Sequence, residues 1–172
     1  MSLVVLVGHS SSGKSTARKI LEEEEYKGFE ASTYARLIRA VGNVTDLIDF
    51  FTRQENKLLV LERILEDVKT CKAEQIVISG LRIPEELRLL RSSYSPMRVV
   101  GVYCSLEICF RRSLIRPDKS FKSFSDFVQT RIYEDNALGL ADIFSRELDC
   151  LVNNNSSLYE FRQRILEVVK DV

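Results

Sequence analysis

The stretch Leu3-Val4-Val5-Leu6-Val7-Gly8-His9-Ser10-Ser11-Ser12-Gly13-Lys14-Ser15 decides the fold. Its second half, G-H-S-S-S-G-K-S, matches the phosphate-loop pattern G-x-x-x-x-G-K-[ST], and it sits between a strand-like apolar run and a helix-like segment. In that setting the backbone N–H groups of the loop wrap a phosphate chain, with the positive end of the next helix behind them. Gly8 and Gly13 permit the tight path, Lys14 reaches the terminal phosphates of a triphosphate, and the Ser15 hydroxyl is a ligand for Mg²⁺.

Working outward, the 172 residues suit one domain with a core of its own, needing neither disulfides nor a metal staple. Lys plus Arg and Asp plus Glu both number 25, so no basic excess points to nucleic acid or an anionic membrane. The cysteines Cys71, Cys104, Cys109 and Cys150 form no C-x-x-C pair, and His9 is the one histidine, which argues against a zinc site. The opening run Leu3 to Val7 is too short for a signal-peptide core and has no basic leader; no run is long enough to cross a bilayer. A cytoplasmic protein, in a reducing setting, is the expectation.

Ala17, Ile20 and Leu21 recur at helical spacing, predicting a helix from Lys14 to Glu25. Phe29 to Ser32 reads as a short strand and Thr33 to Val41 as a helix. Its Arg36 and Arg39 either meet a second, phosphorylated substrate or are plain surface charges. Gly42 and Asn43 break that helix, and Thr45 is a candidate cap for a segment ending at Phe51. A long amphipathic helix follows, Glu55 to Cys71, then a strand, Gln75 to Ser79, whose loop Gly80-Leu81-Arg82 leads to a helix started by Pro84. Arg98 to Cys104 is a buried strand, with Ser105 capping the next helix. Arg111 to Lys119 concentrates cations in a lid-like loop, about 111–120, with the composition of a flap that closes over phosphates. A helix over Ser125 to Glu134, a short one over Ala137 to Phe144, a strand over Leu148 to Val152 and a Ser157-capped terminal helix complete the chain. Apolar strands alternating with helices predict an α/β fold, a parallel sheet covered on both faces, with ligands at the carboxyl ends of its strands.

These features together resemble the P-loop nucleotide and nucleoside kinases, the group that includes adenylate kinase and dephospho-CoA kinase, and in particular the dephospho-CoA-kinase-like proteins of archaea. The likeness rests on the phosphate loop, on Ile78-Ser79-Gly80-Leu81-Arg82-Ile83-Pro84, on Arg111 to Arg116, on Arg131 to Asp135, and on Ala141-Asp142 with Val152-Asn153. It implies a three-layer α/β/α fold with five parallel strands in the order 2-3-1-4-5, and an acceptor-binding insertion about 32–51. By the same resemblance Gly8, His9, Ser10, Ser11, Ser12, Gly13, Lys14, Ser15 and Thr16 hold ATP and Mg²⁺, and Arg82 contacts substrate phosphate. Arg112, Arg116 and Arg131 surround the transferring phosphoryl group, and Asn153, with Asn154, contacts the base.

Two positions depart from that pattern. Ser79 stands where the family has an acidic residue, so it could position only a water on Mg²⁺. Arg36 stands where a carboxylate is expected, leaving Asp46, Asp49 and Glu134 as candidate acids. The expected function is ATP-dependent phosphoryl transfer to a small molecule: a nucleotide, a nucleoside or a coenzyme precursor such as dephospho-CoA. The alternatives are a nucleotide-binding regulatory protein, motivated by Ser79, and an interaction domain that binds no nucleotide.

Overall fold

Five parallel strands form the sheet, most of them from apolar runs: β1 (Ser2–Val7), β2 (Lys27–Glu30), β3 (Gln75–Ser79), β4 (Met97–Tyr103) and β5 (Cys150–Asn153). A computed structural model describes residues 1–38, 44–53, 57–116 and 121–172. Arg39, the expected break at Gly42 and Asn43, the expected helix start at Glu55 and Pro117 to Lys119 lie outside the described residues, as does the Thr45 side chain. The sheet order is β2-β3-β1-β4-β5, so β1 is central and the loop that follows it lies midway along the carboxyl edge. Val4 pairs with Val77 on one side and Arg98 on the other.

Between the strands run α1 (Lys14–Glu22), α2 (Ala31–Ile38), α3 (Val44–Thr52), α4 (Leu59–Thr70), α5 (Pro84–Ser93), α6 (Leu106–Leu114), α7 (Phe124–Leu138), α8 (Leu140–Arg146) and α9 (Leu158–Val169). Successive side chains of a strand point to opposite faces, and β1 is apolar at every position from Leu3 on because both faces are covered. Val4 and Leu6 pack with Ala17 and Leu21 of α1 and Phe161 and Ile165 of α9. Leu3, Val5 and Val7 pack on the other face with Leu61 and Ile64 of α4 and Leu87 and Leu90 of α5. Cys104, Cys109 and Phe127 form a smaller cluster where α6 meets α7. Among the described residues no helix is long and apolar enough to cross a membrane.

Several boundaries differ from the sequence expectation: Arg111 to Leu114 of the expected lid-like loop belong to α6, β5 spans Cys150–Asn153, and three other differences have a clear local reason. Helix α1 stops at Glu22 because Glu25 adopts a left-handed φ of 69° and the Tyr26 N–H reaches back to the Leu21 carbonyl at 3.1 Å, a Schellman closure made without glycine. The chain therefore enters β2 early, the strand ends at Glu30, and Ala31 and Ser32 already belong to α2. Helix α7 is capped by Ser123, whose hydroxyl accepts from the Asp126 N–H at 3.1 Å, and not by Ser125.

Candidate functional site

The loop after β1 is shaped by two glycines. Gly8 has φ 150° and a Cβ there would lie 2.5 Å from the Val102 carbonyl oxygen; Gly13 has φ 112° and a Cβ there would lie 2.1 Å from Asn154 Nδ2. Gly13 leaves the first turn of α1 without a side-chain cap, so its N–H groups and the helix dipole remain available to an anion. Among the described residues the buried hydroxyls of Ser10, Ser11 and Ser12 have no hydrogen-bond partner, an arrangement that a bound acceptor-rich group would satisfy.

Lys14 is folded back onto the loop. Its Nζ donates to the Gly8 carbonyl at 2.6 Å and the His9 carbonyl at 2.7 Å. Burial, reinforced by the nearby Arg82 charge, pulls its pKa down to about 7. The His9 ring faces away from these carbonyls: Nδ1 accepts from Arg131 Nη2 at 3.0 Å, Nε2 donates to Asp135 Oδ1 at 2.6 Å, and the ring lies 5.6 Å from that of Phe144. Burial first, and then Arg131, hold the imidazole pKa below its usual value, which keeps the ring neutral.

A cavity of about 380 Å³ opens along the carboxyl edge of the sheet. Lys14, Ser15 and Thr16 form its floor, together with Ser10, Ser11 and Gly13. At the β2–β3 end its wall is Glu30, Ser32, Arg36, Gly80 and Arg82; at the β4–β5 end it is Arg112, Ile115, Arg116, Asn154, Leu158 and Phe161. Cations outnumber acids on these walls, with Lys14, Arg36, Arg82, Arg112 and Arg116 set against Glu30. That balance suits a polyanion.

Glu30 is the residue that sequence reasoning missed. It is the last residue of β2, and its Oε1 accepts the hydroxyls of Ser15 and Ser32, each at 3.1 Å, while Arg18 lies 3.4 Å from Oε2. Its register partner on β3 is Ser79. A carboxylate thus stands one strand away from the position where the acid was expected. Ser79 is buried, its hydroxyl faces the Phe29 carbonyl at 3.5 Å, and it is not part of the cavity wall. The signal that could have revealed Glu30 is an acidic residue closing a strand next to the phosphate-loop helix. It was obscured because the strand was read two residues too far along the chain.

The remaining expected residues divide by where their side chains go. Arg82 reaches the wall but is tied to the buried Glu134 carboxylate of α7; its loop is fixed by Glu86, whose Oε2 accepts the Arg82 and Ile83 N–H groups at 3.0 Å each. Arg112 donates to the Asn154 carbonyl at 3.1 Å and touches Cys104 Sγ at 3.4 Å. Arg131 turns to His9 and is absent from the wall of the large cavity. Asn153 also lies outside that wall: it is exposed, with Oδ1 accepting from the Asn155 N–H at 2.9 Å. Asn154 lines it instead, buried, with Nδ2 donating to the Ser12 carbonyl at 2.8 Å. Side chains alternate along this extended segment, so the two asparagines face opposite ways. Asp49 accepts from the Tyr133 hydroxyl at 2.7 Å, away from the cavity wall, and Asp46 is not part of that wall either.

No family model matches the sequence. The chain is 22% identical over 175 residues to a UPF0200 protein of Methanothermobacter thermautotrophicus, covering 99% of this chain and 91% of the relative. It is 27% identical over 175 residues to a UPF0200 protein of Pyrobaculum aerophilum, covering 100% and 99%. Among solved structures, shikimate kinase from Bacteroides thetaiotaomicron superposes with a TM-score of 0.71 at 16% identity, covering 98% of each chain. A gluconokinase from Sinorhizobium meliloti superposes with a TM-score of 0.66 at 19% identity, covering 98% of this chain and 91% of that one. With its central phosphate loop, strand order and flanking helices, the chain has the fold of the P-loop kinases.

Proposed function

We propose that the protein is a Mg-ATP-dependent phosphotransferase acting on a small hydroxylated anion. The observation that carries this reading is the Ser15 hydroxyl lying 3.1 Å from the Glu30 carboxylate inside a cavity where cations outnumber acids. Two hard oxygen donors in contact fit Mg²⁺, which takes one or two protein oxygens and completes its shell with phosphate and water. The metal's contribution would be to neutralise charge on the β- and γ-phosphate oxygens.

The chain's own groups do the rest. Lys14 leaves the Gly8 and His9 carbonyls for the β- and γ-phosphates, and the three unpartnered serine hydroxyls and the α1 N-terminus supply further donors. Arg112 and Arg116 neutralise the transferring group. Ile115 and Leu158, at the β4–β5 end, offer apolar surface for the nucleoside of the donor. At the β2–β3 end the wall has a carboxylate, a hydroxyl and two arginines and, among the described residues, no aromatic side chain. Such a wall orients a hydroxyl and holds an anionic group, and supports a compact hydroxylated acceptor over a nucleoside. The gluconokinase name of one structural neighbour is in keeping with that chemistry.

The test is ADP formation by purified protein with Mg-ATP and a panel of sugar acids, sugar phosphates, cyclic hydroxy acids and nucleosides. Acceptor-dependent turnover that is lost in Lys14→Ala supports the proposal. Binding of Mg-ATP without turnover on any acceptor favours a nucleotide-binding regulator. No thermal stabilisation by Mg-ATP, where about 2.7 kcal/mol is expected at a hundredfold excess over Kd, refutes both.

A further inference from the structure

We propose that His9 is a positioning residue for Lys14: its side chain anchors the phosphate loop to α7 and α8, while its carbonyl holds the lysine at rest. The inference depends on the nucleotide-binding reading above. Gripping a phosphate chain with backbone N–H groups requires no imidazole at this position, and the His9 side chain is not part of the cavity wall. It is nonetheless held at three points. A guanidinium has only donors, so His9 Nδ1 must be the acceptor for Arg131 Nη2 at 3.0 Å; the ring proton is then on Nε2 and is donated to Asp135 Oδ1 at 2.6 Å. Phe144 of α8 packs against the ring with centroids 5.6 Å apart.

This fixed residue supplies one of the two carbonyls on which Lys14 Nζ rests, at 2.7 Å, and adjoins the other, Gly8, at 2.6 Å. The seating of α7 therefore sets where Lys14 waits. The same helix is tied to α3 by the Tyr133 hydroxyl, which donates to Asp49 at 2.7 Å. A continuous contact path runs from α3 through α7 and His9 to Lys14, which in the reading above meets the donor's terminal phosphates. The charged groups around the ring are Arg131, Asp135 and Glu134, all contributed by α7.

The experiment is isothermal titration of Mg-ATP and of AMP into wild type, His9→Phe, His9→Asn and Asp135→Ala. His9→Phe keeps the packing against Phe144 and loses both hydrogen bonds. Roughly tenfold weaker Mg-ATP binding with unchanged AMP binding is expected, because AMP lacks the phosphates that Lys14 reaches. His9→Asn, whose Oδ1 replaces Nδ1 as the acceptor for Arg131 while the bond to Asp135 stays lost, should recover only part of the loss. Asp135→Ala leaves the loop sequence intact and should reproduce the selective loss even if the His9 variants fold poorly. Equal Mg-ATP affinity in wild type, His9→Phe and Asp135→Ala overturns the inference, as does an equal loss for ATP and AMP. Wild type that binds no Mg-ATP refutes the nucleotide-binding reading itself, and the inference with it.

Discussion

Ser15 donates its hydroxyl hydrogen to Glu30 Oε1 across 3.1 Å, joining the first turn of the phosphate-loop helix to the last residue of β2. Because Glu30 and Ser79 are register partners, the carboxylate stands one strand away from the position where the sequence suggested that an acid had been lost.

Glu30→Gln keeps the shape of the side chain and removes its charge. Mg²⁺-dependent ATP turnover should fall by about 10–100-fold, while ATP binding without Mg²⁺ should change little. Titration of Mg²⁺ in a coupled ADP assay checks this; turnover with an unchanged Mg²⁺ requirement would remove Glu30 from the site.

Ser79→Asp, which the sequence alone suggests as a repair, should instead harm the protein. The new carboxylate would be buried against the Phe29 carbonyl and beside Glu30. A loss of about 2–4 kcal/mol by urea denaturation and no gain in turnover are expected.

Lys14, with a pKa near 7 in the free protein, must carry a proton to pair with phosphate. Above pH 7 binding therefore takes up a proton, and Mg-ATP affinity should weaken with rising pH, by at most about tenfold per unit. The free protein behaves in the opposite sense. Between pH 7 and 10.5 the unfolded chain holds the extra proton, so Lys14 makes stability rise with pH across that window. Titration calorimetry in two buffers of different ionisation enthalpy measures the uptake, which Lys14→Arg should abolish because a guanidinium stays protonated.

Arg82 and Glu134 form a buried pair, with 8% and 1% of their surfaces exposed. Truncating either partner breaks a buried ion pair, and Arg82→Ala or Glu134→Ala should cost roughly 3–5 kcal/mol in urea melts. A loss below about 1 kcal/mol would indicate that Arg82 is a loose phosphate ligand held only by its substrate.

Asn154→Ala removes the bond that steadies the Ser12 carbonyl and should weaken Mg-ATP binding by about tenfold. Asn153→Ala, at the exposed neighbour outside the cavity wall, should have no measurable effect. The two variants, compared in one thermal-shift series with Mg-ATP, decide which asparagine serves the nucleotide.

The sequence by itself determined the phosphate loop, the parallel sheet and several helix starts, because these depend on residues close together in the chain. Loop glycines, apolar strand runs and capping serines at 105 and 157 act through backbone geometry and hydrogen bonds within a few residues. Only the tertiary structure decided which polar side chains meet. His9 and Asp135 are 126 residues apart, Arg82 and Glu134 are 52 apart, and Ser15 reaches Glu30 only because α1 closes with a Schellman turn at Glu25 and Tyr26, bringing β2 back alongside β3. Spacing along the chain carries no trace of such partners. Their pairing follows from the packing of α7 and the register of β2, both set by burial of apolar surface over the whole molecule.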